Sequence, residues 1–315
     1  MKNQKVSVII NCLNGERYLR QAIDSVINQT YQDWEIVFWD NGCTDTSAEI
    51  AKSYGKRVRY FSSENTYPLG KARNLCMTQA NGEYIAFLDC DDIWLPTKLE
   101  KQIPLFEKDP DVALVFSDAI YFNEKGPICQ IYKKFRPPRG RIFKQLFRKY
   151  FLCITSVVIR KSAIKNIEWF DERLKLFEDA CFFLRLAYKF QFDYCMEPLV
   201  KYRVRLDSGT IRDFAGLACE RDLTLKTLKE EFSDFENIFD DDIRRFQAKT
   251  NAQKAINEWK KNNSGNARNI LKNTRPKNLL IYTLYFITFL PKSAFTYLFI
   301  LNYKIKNWFN WYKFE

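Results

Sequence analysis

Tyr84-Ile85-Ala86-Phe87-Leu88-Asp89-Cys90-Asp91-Asp92 is a short apolar run that ends abruptly in three carboxylates. An apolar run of this length reads as a strand buried inside a sheet. Its polar end then opens at the carboxyl edge of the sheet, where open α/β folds bind ligands. Asp89 and Asp91 stand two apart, so in extended geometry they point to the same side. Two carboxylates crowded together repel unless a cation sits between them or both face water. Such oxygen ligands suit Mg²⁺ or Mn²⁺, with phosphate oxygens completing the shell. A solvated acidic loop, or a helix N-cap ahead of Ile93-Trp94-Leu95-Pro96, is the competing reading.

Outward from this stretch, strand and helix signals alternate through the first half. Val6 to Ile10 and Trp34 to Trp39 read as strands, the second ending at Asp40-Asn41-Gly42. Between them, Leu19, Ile23, Val26 and Ile27 line one face of a helix over about 16–28. Thr44-Asp45-Thr46-Ser47 offers N-cap residues for a helix reaching Tyr54. A strand at 58–61, a helix at 70–80 and an Asn81-Gly82 turn lead into the acidic strand; a helix to about 108 and a strand at 113–116 follow it. This rhythm predicts a mostly parallel sheet with helices on both faces.

The middle is less regular, with a basic loop at Arg136-Pro137-Pro138-Arg139-Gly140-Arg141 and a strand signal at 156–159. Phe177-Glu178-Asp179 opens an amphipathic helix carrying Phe182, Phe183, Leu186 and Ala187. From about 213 to 260 the signal is helical with polar faces. At 315 residues the chain can bury one large core and carry an appendage.

Lys and Arg total 50 against 38 Asp and Glu, a net charge of +12, which suits an anionic partner. The excess is concentrated at the end, where no acidic residue occurs from Trp259 to Phe314. There is no histidine, which removes every mechanism that needs an imidazole. The nine cysteines are scattered and lack a Cys-x-x-Cys pair, so neither a disulfide framework nor a zinc site is indicated and a reducing compartment fits. Val6 follows the N-terminus too closely for a secretory signal, so a cytoplasmic protein is expected. The tail is rich in Leu, Ile, Phe and Tyr but is interrupted at Pro291-Lys292, short of the ~20 apolar residues of a spanning helix. Packed soluble helices and a kinked span are open alternatives to docking on the membrane surface, which its lysines, Trp308, Phe309, Trp311 and Tyr312 favour. Its apolar runs are too continuous for a nucleic-acid-binding strip, so no nucleic acid target is expected.

Several segments line up in order: Val6-Ser7-Val8-Ile9-Ile10-Asn11, Asn14-Gly15, Ser25 to Tyr31, Trp39-Asp40-Asn41-Gly42-Cys43-Thr44-Asp45, Lys71-Ala72-Arg73-Asn74 and Asn81 to Asp92. Together they resemble the nucleotide-binding half of family 2 glycosyltransferases, which adopt the α/β GT-A fold. The resemblance covers residues 5 to about 120 closely. It continues more loosely to about 208 through Trp169-Phe170-Asp171, Phe177-Glu178-Asp179 and Tyr202-Arg203. It implies a catalytic domain over 1–212, with a nucleotide-sugar half (1–120) and an acceptor and base half (121–212). A helical subdomain at 213–274 and the tail at 275–315 would follow.

The resemblance also implies roles. In this DxD motif Asp89 would lie near the ribose and Asp91 would hold Mn²⁺ or Mg²⁺, a Lewis acid for the departing diphosphate. Asn11, Asp40, Asn41 and Arg73 would belong to the nucleotide-sugar site. Asn41 stands where the family commonly has a second Asp, which leaves the base open, with uridine fitting through the amide. By spacing alone Asp40-Asn41-Gly42 is an ordinary turn, Arg73 a structural ion-pair partner, and Glu178-Asp179 an acidic helix start. With the upstream motifs, Asp179 becomes the general base and Glu178 its catalytic neighbour, giving single displacement with inversion. Asp92 either orients the site or caps the next helix. Many relatives place a histidine near Arg205; here Arg205 or Arg203 could neutralise the diphosphate, unless both merely decorate an edge strand. The expected enzyme moves a sugar from a nucleotide-sugar, UDP-linked by preference, to a glycan or lipid-linked saccharide of a surface polysaccharide. It would work at the inner face of the plasma membrane. A non-catalytic nucleotide-sugar-binding or scaffold protein is the alternative.

Overall fold

The computed structural model describes residues 5–205, 214–276 and 279–290, with backbone alone at 214 and 215. The chain forms two compact units, Met1–Phe143 with Leu152–Leu206, and Lys144–Phe151 with Asp207–Glu315. The boundary expected at 212/213 and the tail beyond 290 lie outside the described residues.

The first unit runs β1 (Val6–Cys12), α1 (Glu16–Ile27), β2 (Trp34–Asp40), α2 (Ser47–Ser53), β3 (Val58–Ser62), α3 (Leu69–Thr78) and β4 (Tyr84–Phe87). It continues with β5 (Ile93–Trp94), α4 (Lys98–Lys108), β6 (Val112–Asn123) and β7 (Gly126–Gln130). After α5 (Phe143–Arg148), which apart from Phe143 belongs to the second unit, the first unit resumes with β8 (Val158–Arg160), α6 (Glu178–Lys189) and β9 (Gln191–Arg203). The sheet order is β3-β2-β1-β4-β8-β6-β9-β5, with β7 on β6. β1 is parallel to β2 and β4, and β2 to β3. β8 enters antiparallel between β4 and β6, and β6 then runs parallel to β9.

These strands are continuous apolar runs because both faces are covered. Val6, Val8, Ile9, Ile10, Ile36, Val37, Phe38 and all of β4 are buried. Phe87 meets the rings of Phe170 and Phe183 edge-on, at 5.7 and 6.4 Å between centroids. Removing such a side chain typically costs about 3–5 kcal/mol. Gly82 admits β4 to the sheet: a Cβ there would stand 2.6 Å from Ser7 N. Ser7 Oγ also accepts a bond from Gly82 N and donates one to Glu35. Register aligns Cys12 with Asp40 and Ile9 with Phe87, so β1, β2 and β4 open at one edge.

Three strands escaped the sequence pattern. β9 contains Asp193, Glu197, Pro198 and Lys201, which hide its alternation. Its pairing with β6 absorbs the irregularity through register shifts on both sides of Asp118. The two-residue β5 closes the far side of β9, so Arg203 does not lie on an edge strand. β7 is the return of a hairpin on β6.

The second unit gathers residues 144–151 with α7 (Phe214–Glu231), α8 (Phe235–Lys260), α9 (Ser264–Asn273) and α10 (Leu279–Ile287). Phe147 stacks on Phe246 at 4.7 Å and meets Phe235 edge-on. Buried Asp242 is paired with Arg148 and lies 4.0 Å from Lys144. A second cluster joins Ala252, Ile256 and Trp259 of α8 with Leu271 of α9 and Ile281 and Leu284 of α10.

Lys98 is fully buried in the first unit. Its Nζ donates to Gln102 Oε1 at 2.7 Å and lies 4.2 Å over the Trp94 ring. Burial pushes its pKa from the ordinary 10.5 down to about 7. Between these values the unfolded chain holds a proton that the folded chain releases, so folding is penalised fully below pH 7 and progressively less toward 10.5. In Lys98→Met this penalty disappears. Its melting temperature relative to the parent should therefore be highest near pH 7 and fall steadily as the pH approaches 10.5, read by thermal melts across that window.

Candidate functional site

The carboxyl edge of β1, β2 and β4 carries the acidic and amide side chains singled out by the sequence. β4 ends at Phe87, and Leu88 N still donates to Ile9 O at 3.0 Å. The chain then turns, with Asp92 N donating to Asp89 O at 3.0 Å. Asp89 and Asp91 therefore sit in a tight turn, not in the extended geometry expected from their spacing, because this hydrogen bond closes the backbone before β5.

Arg73 is the hub. It rises from α3 into a buried position, where Nη2 donates to Asp89 Oδ1 at 2.8 Å and Nη1 to Glu178 Oε1 at 2.5 Å. Its guanidinium lies 5.5 Å from the Phe170 ring centroid. Burial alone would make it a weaker base, but Asp89 and Glu178 outweigh that and fix its charge. Glu178, also buried, is raised above the usual carboxylate range by burial, against the pull of Arg73 and with Asp179 adding to the rise. Gly70, one turn before Arg73, keeps α3 close to this region: a Cβ there would stand 3.2 Å from Asp171 O. Arg73 thus forms ion pairs with both Asp89 and Glu178.

Asp179 opens α6, half-buried, with Oδ1 accepting from Ala180 N at 2.7 Å. Asp91 Oδ2 faces Arg205 Nε at 3.2 Å. Burial and then the charge of Asp89 hold the Asp91 carboxyl above its ordinary range, with Arg205 opposing. Asp92 is raised further by burial and by Asp91 and Asp89. Its Oδ1 accepts from Arg203 N at 2.8 Å, while its buried Oδ2 meets no hydrogen-bond donor among the described residues. Asp92 thus caps no helix; β5 follows it, and its bond crosses to β9.

Arg203 and Arg205, alike in sequence, have different tasks. Arg203 is buried between the rings of Tyr18 and Phe122, 4.0 and 4.4 Å from their centroids. It donates from Nε to Asp91 O at 2.8 Å and from Nη2 to Gln21 Oε1 at 2.9 Å. It holds the acidic turn by its backbone, leaving Arg205 as the more exposed cation at Asp91. Sequence reasoning missed this clamp, although the aromatic residues that receive it, Tyr18 and Phe122, are visible in the chain.

At the end of β2, Asp40 Oδ1 accepts from Cys43 N at 2.7 Å and Oδ2 from the Tyr60 hydroxyl at 2.5 Å. Gly42 has φ +81°, the left-handed region that favours glycine. Asn41 Nδ2 donates to Tyr67 O at 2.8 Å while its Oδ1 accepts from Tyr67 N at 3.1 Å. This two-way pairing needs an amide, since a carboxylate has no donor for the carbonyl. Asn11, on β1 opposite Trp39, has its Nδ2 buried with no partner among the described residues.

In Asn41→Asp the new carboxylate would face the Tyr67 carbonyl. Thermal stability should fall by about 1–3 kcal/mol near pH 7, as for a buried group left unsatisfied. The deficit should shrink as the pH drops and the carboxyl gains a proton to donate. Melts of the variant and parent at paired pH values check both the loss and its recovery.

Residues 7–168 match the model of glycosyl transferase family 2. An uncharacterised glycosyltransferase of Methanocaldococcus jannaschii is 34% identical over 210 residues, covering 65% of this chain and 72% of that protein. The Escherichia coli protein WfgD, a UDP-Glc:alpha-D-GlcNAc-diphosphoundecaprenol beta-1,3-glucosyltransferase, is 30% identical over 162 residues, 51% of this chain and 62% of its own length. The solved structure of S. aureus TarS 1-349 in complex with UDP-GlcNAc superposes with a TM-score of 0.58 at 18% identity, covering 86% of this chain and 91% of that one. The fold is GT-A, and the chain belongs to glycosyl transferase family 2.

Proposed function

We propose that this glycosyltransferase moves a sugar from a nucleotide-sugar, UDP-linked by preference, to a hydroxyl of a lipid-linked saccharide, with inversion at the anomeric carbon. One observation carries the reading: Arg73 joins Asp89 of the first acidic motif to Glu178 of the second, 89 positions further along the chain. The names of WfgD and TarS UDP-GlcNAc support a UDP-linked donor, and that of WfgD a diphospholipid acceptor.

Placement supports the assigned roles. Asn11, Asp40 and Asn41 line the edge where the nucleoside would lie, with Arg73 and Asp89 between it and α6. Asp179 takes the proton of the acceptor hydroxyl as that oxygen bonds to the anomeric carbon. The bond from this carbon to the phosphate oxygen breaks, and the nucleoside diphosphate leaves with the electron pair. Glu178, held by Arg73, fixes the first turn of α6 and so the position of Asp179. Arg205 supplies positive charge for the departing diphosphate.

The donor set fits Mn²⁺ or Mg²⁺: Asp91 and Asp89 offer hard carboxylate oxygens, and neither side chain is fully buried. Among the described residues no group of three or more acidic or thiol side chains forms a metal cage. Asp91, with Asp89, would therefore hold the ion through few protein ligands, as Mg²⁺ sites at phosphates commonly do. When bound, it supplies Lewis-acid stabilisation of the leaving diphosphate.

The test is nucleoside-diphosphate release from a panel of nucleotide-sugars, with Mn²⁺, with Mg²⁺ and with EDTA. Release is expected with a UDP-sugar, lost in EDTA and in Asp91→Ala. Release unaffected by EDTA would remove the ion from the proposal. In Asp179→Asn, turnover onto an acceptor should fall roughly 10²–10⁴-fold, the usual worth of a general base, with donor affinity kept. Unchanged turnover would assign the base elsewhere.

A further inference from the structure

α10 is apolar all round, yet only one side of it is packed. Ile281 and Leu284 are buried against Ala252, Ile256, Trp259 and Leu271, with Tyr285 and Ile287 partly covered. On the other side Leu279 is 82% exposed, Tyr282 52%, Phe286 67% and Phe289, just past the helix, 59%. Their spacings of three, four and three residues set them in a single stripe along the helix. A scattered exposed apolar side chain is ordinary, but a continuous stripe marks a surface that something covers.

The charge around the stripe identifies the cover. Arg268 lies 4.6 Å from the centroid of the Phe289 ring and donates to Thr288 O at 3.1 Å. At the other end of α9, Lys272 and Arg275 are exposed just before α10. No carboxylate side chain occurs from Trp259 to Phe314. A second copy of the chain would oppose like charge to like charge across a two-fold axis. Residues 291–315 carry four lysines and a single glutamate, so they too offer the wrong sign. No helix among the described residues is long and apolar enough to cross a bilayer. A short apolar stripe of Leu, Tyr and Phe with cations at its border suits the plane of an interface instead.

We propose that the outward stripe of α10, Leu279, Tyr282, Phe286 and Phe289, docks on an anionic phospholipid surface, with Arg268, Lys272 and Arg275 meeting the headgroups. This deepens the proposed lipid-linked acceptor by naming the surface through which the enzyme would reach it. The docking itself does not require the transfer chemistry.

The experiment is co-sedimentation of the full chain with vesicles of phosphatidylcholine alone and of phosphatidylcholine mixed with phosphatidylglycerol. Binding is expected on the mixed vesicles, with weakening by added salt. The triple substitution Leu279→Ser, Phe286→Ser, Phe289→Ser should lower it at least about tenfold, because three apolar side chains no longer leave water. Lys272→Glu, which leaves the stripe intact, should weaken binding to the mixed vesicles specifically. Equal sedimentation of parent and triple variant overturns the proposal, as does the absence of binding by the parent. A dimer in sedimentation velocity that the triple substitution abolishes, without vesicle binding, would assign the stripe to a second copy. Amide exchange in α10 that is slow and unchanged by vesicles would assign its cover to the chain itself. Donor hydrolysis is measured in the same samples without lipid, so a failure of docking is distinguishable from a failure of the transferase reading.

Discussion

The buried ion pairs of Arg73 are the constraint on which the site depends. One guanidinium, withdrawn from water, faces Asp89 on one side and Glu178 on the other. Taking these groups out of water is costly, and their attraction offsets that cost only while the geometry is kept. Removing one partner from such a buried pair typically costs about 3–5 kcal/mol, since the remaining charge is left uncompensated. The arrangement therefore works as a register device. α3, the turn after β4 and the start of α6 reach their ion pairs together or not at all, which fixes Asp179 relative to the acidic turn.

Around this hub the loops are tied by side chains that match backbone groups. Arg203 holds the backbone of the acidic turn from β9, and two aromatic rings fix its plane. Asn41 pairs with both backbone groups of Tyr67 and so sets the entry to α3, two residues before its first turn. Asn14, Glu16 and Asp45 similarly link the loop after β1 to that after β2. Such bonds let loops at a sheet edge carry chemistry without the play that exposed loops usually have.

The second unit follows a different logic. Its core is built from aromatic stacking at Phe147, Phe235 and Phe246 and from small residues of α8 that let α9 and α10 approach. α10 has a single threonine, Thr283, among apolar and aromatic residues, so its sequence cannot provide a solvated face. The packing of one side leaves the other as surface, a division that hydropathy by itself does not make.

By itself the sequence determined the first four parallel strands, their helices, the acidic motif that ends the fourth strand and the family. These are local quantities: continuous apolar runs, a 3.6-residue period, and motifs contiguous in the chain. It also named Arg73, Asp89, Asp91, Glu178 and Asp179 as a set. The tertiary structure alone decided which of them touch, since Arg73 and Glu178 are 105 residues apart and no local pattern encodes that pairing. It turned Asp89 and Asp91 out of the extended line through one backbone hydrogen bond. It recovered β9 because pairing with β6 and β5 outweighs a proline and several charges in the strand. It also separated Arg203 from Arg205, two residues apart and chemically identical, because only one of them falls between Tyr18 and Phe122.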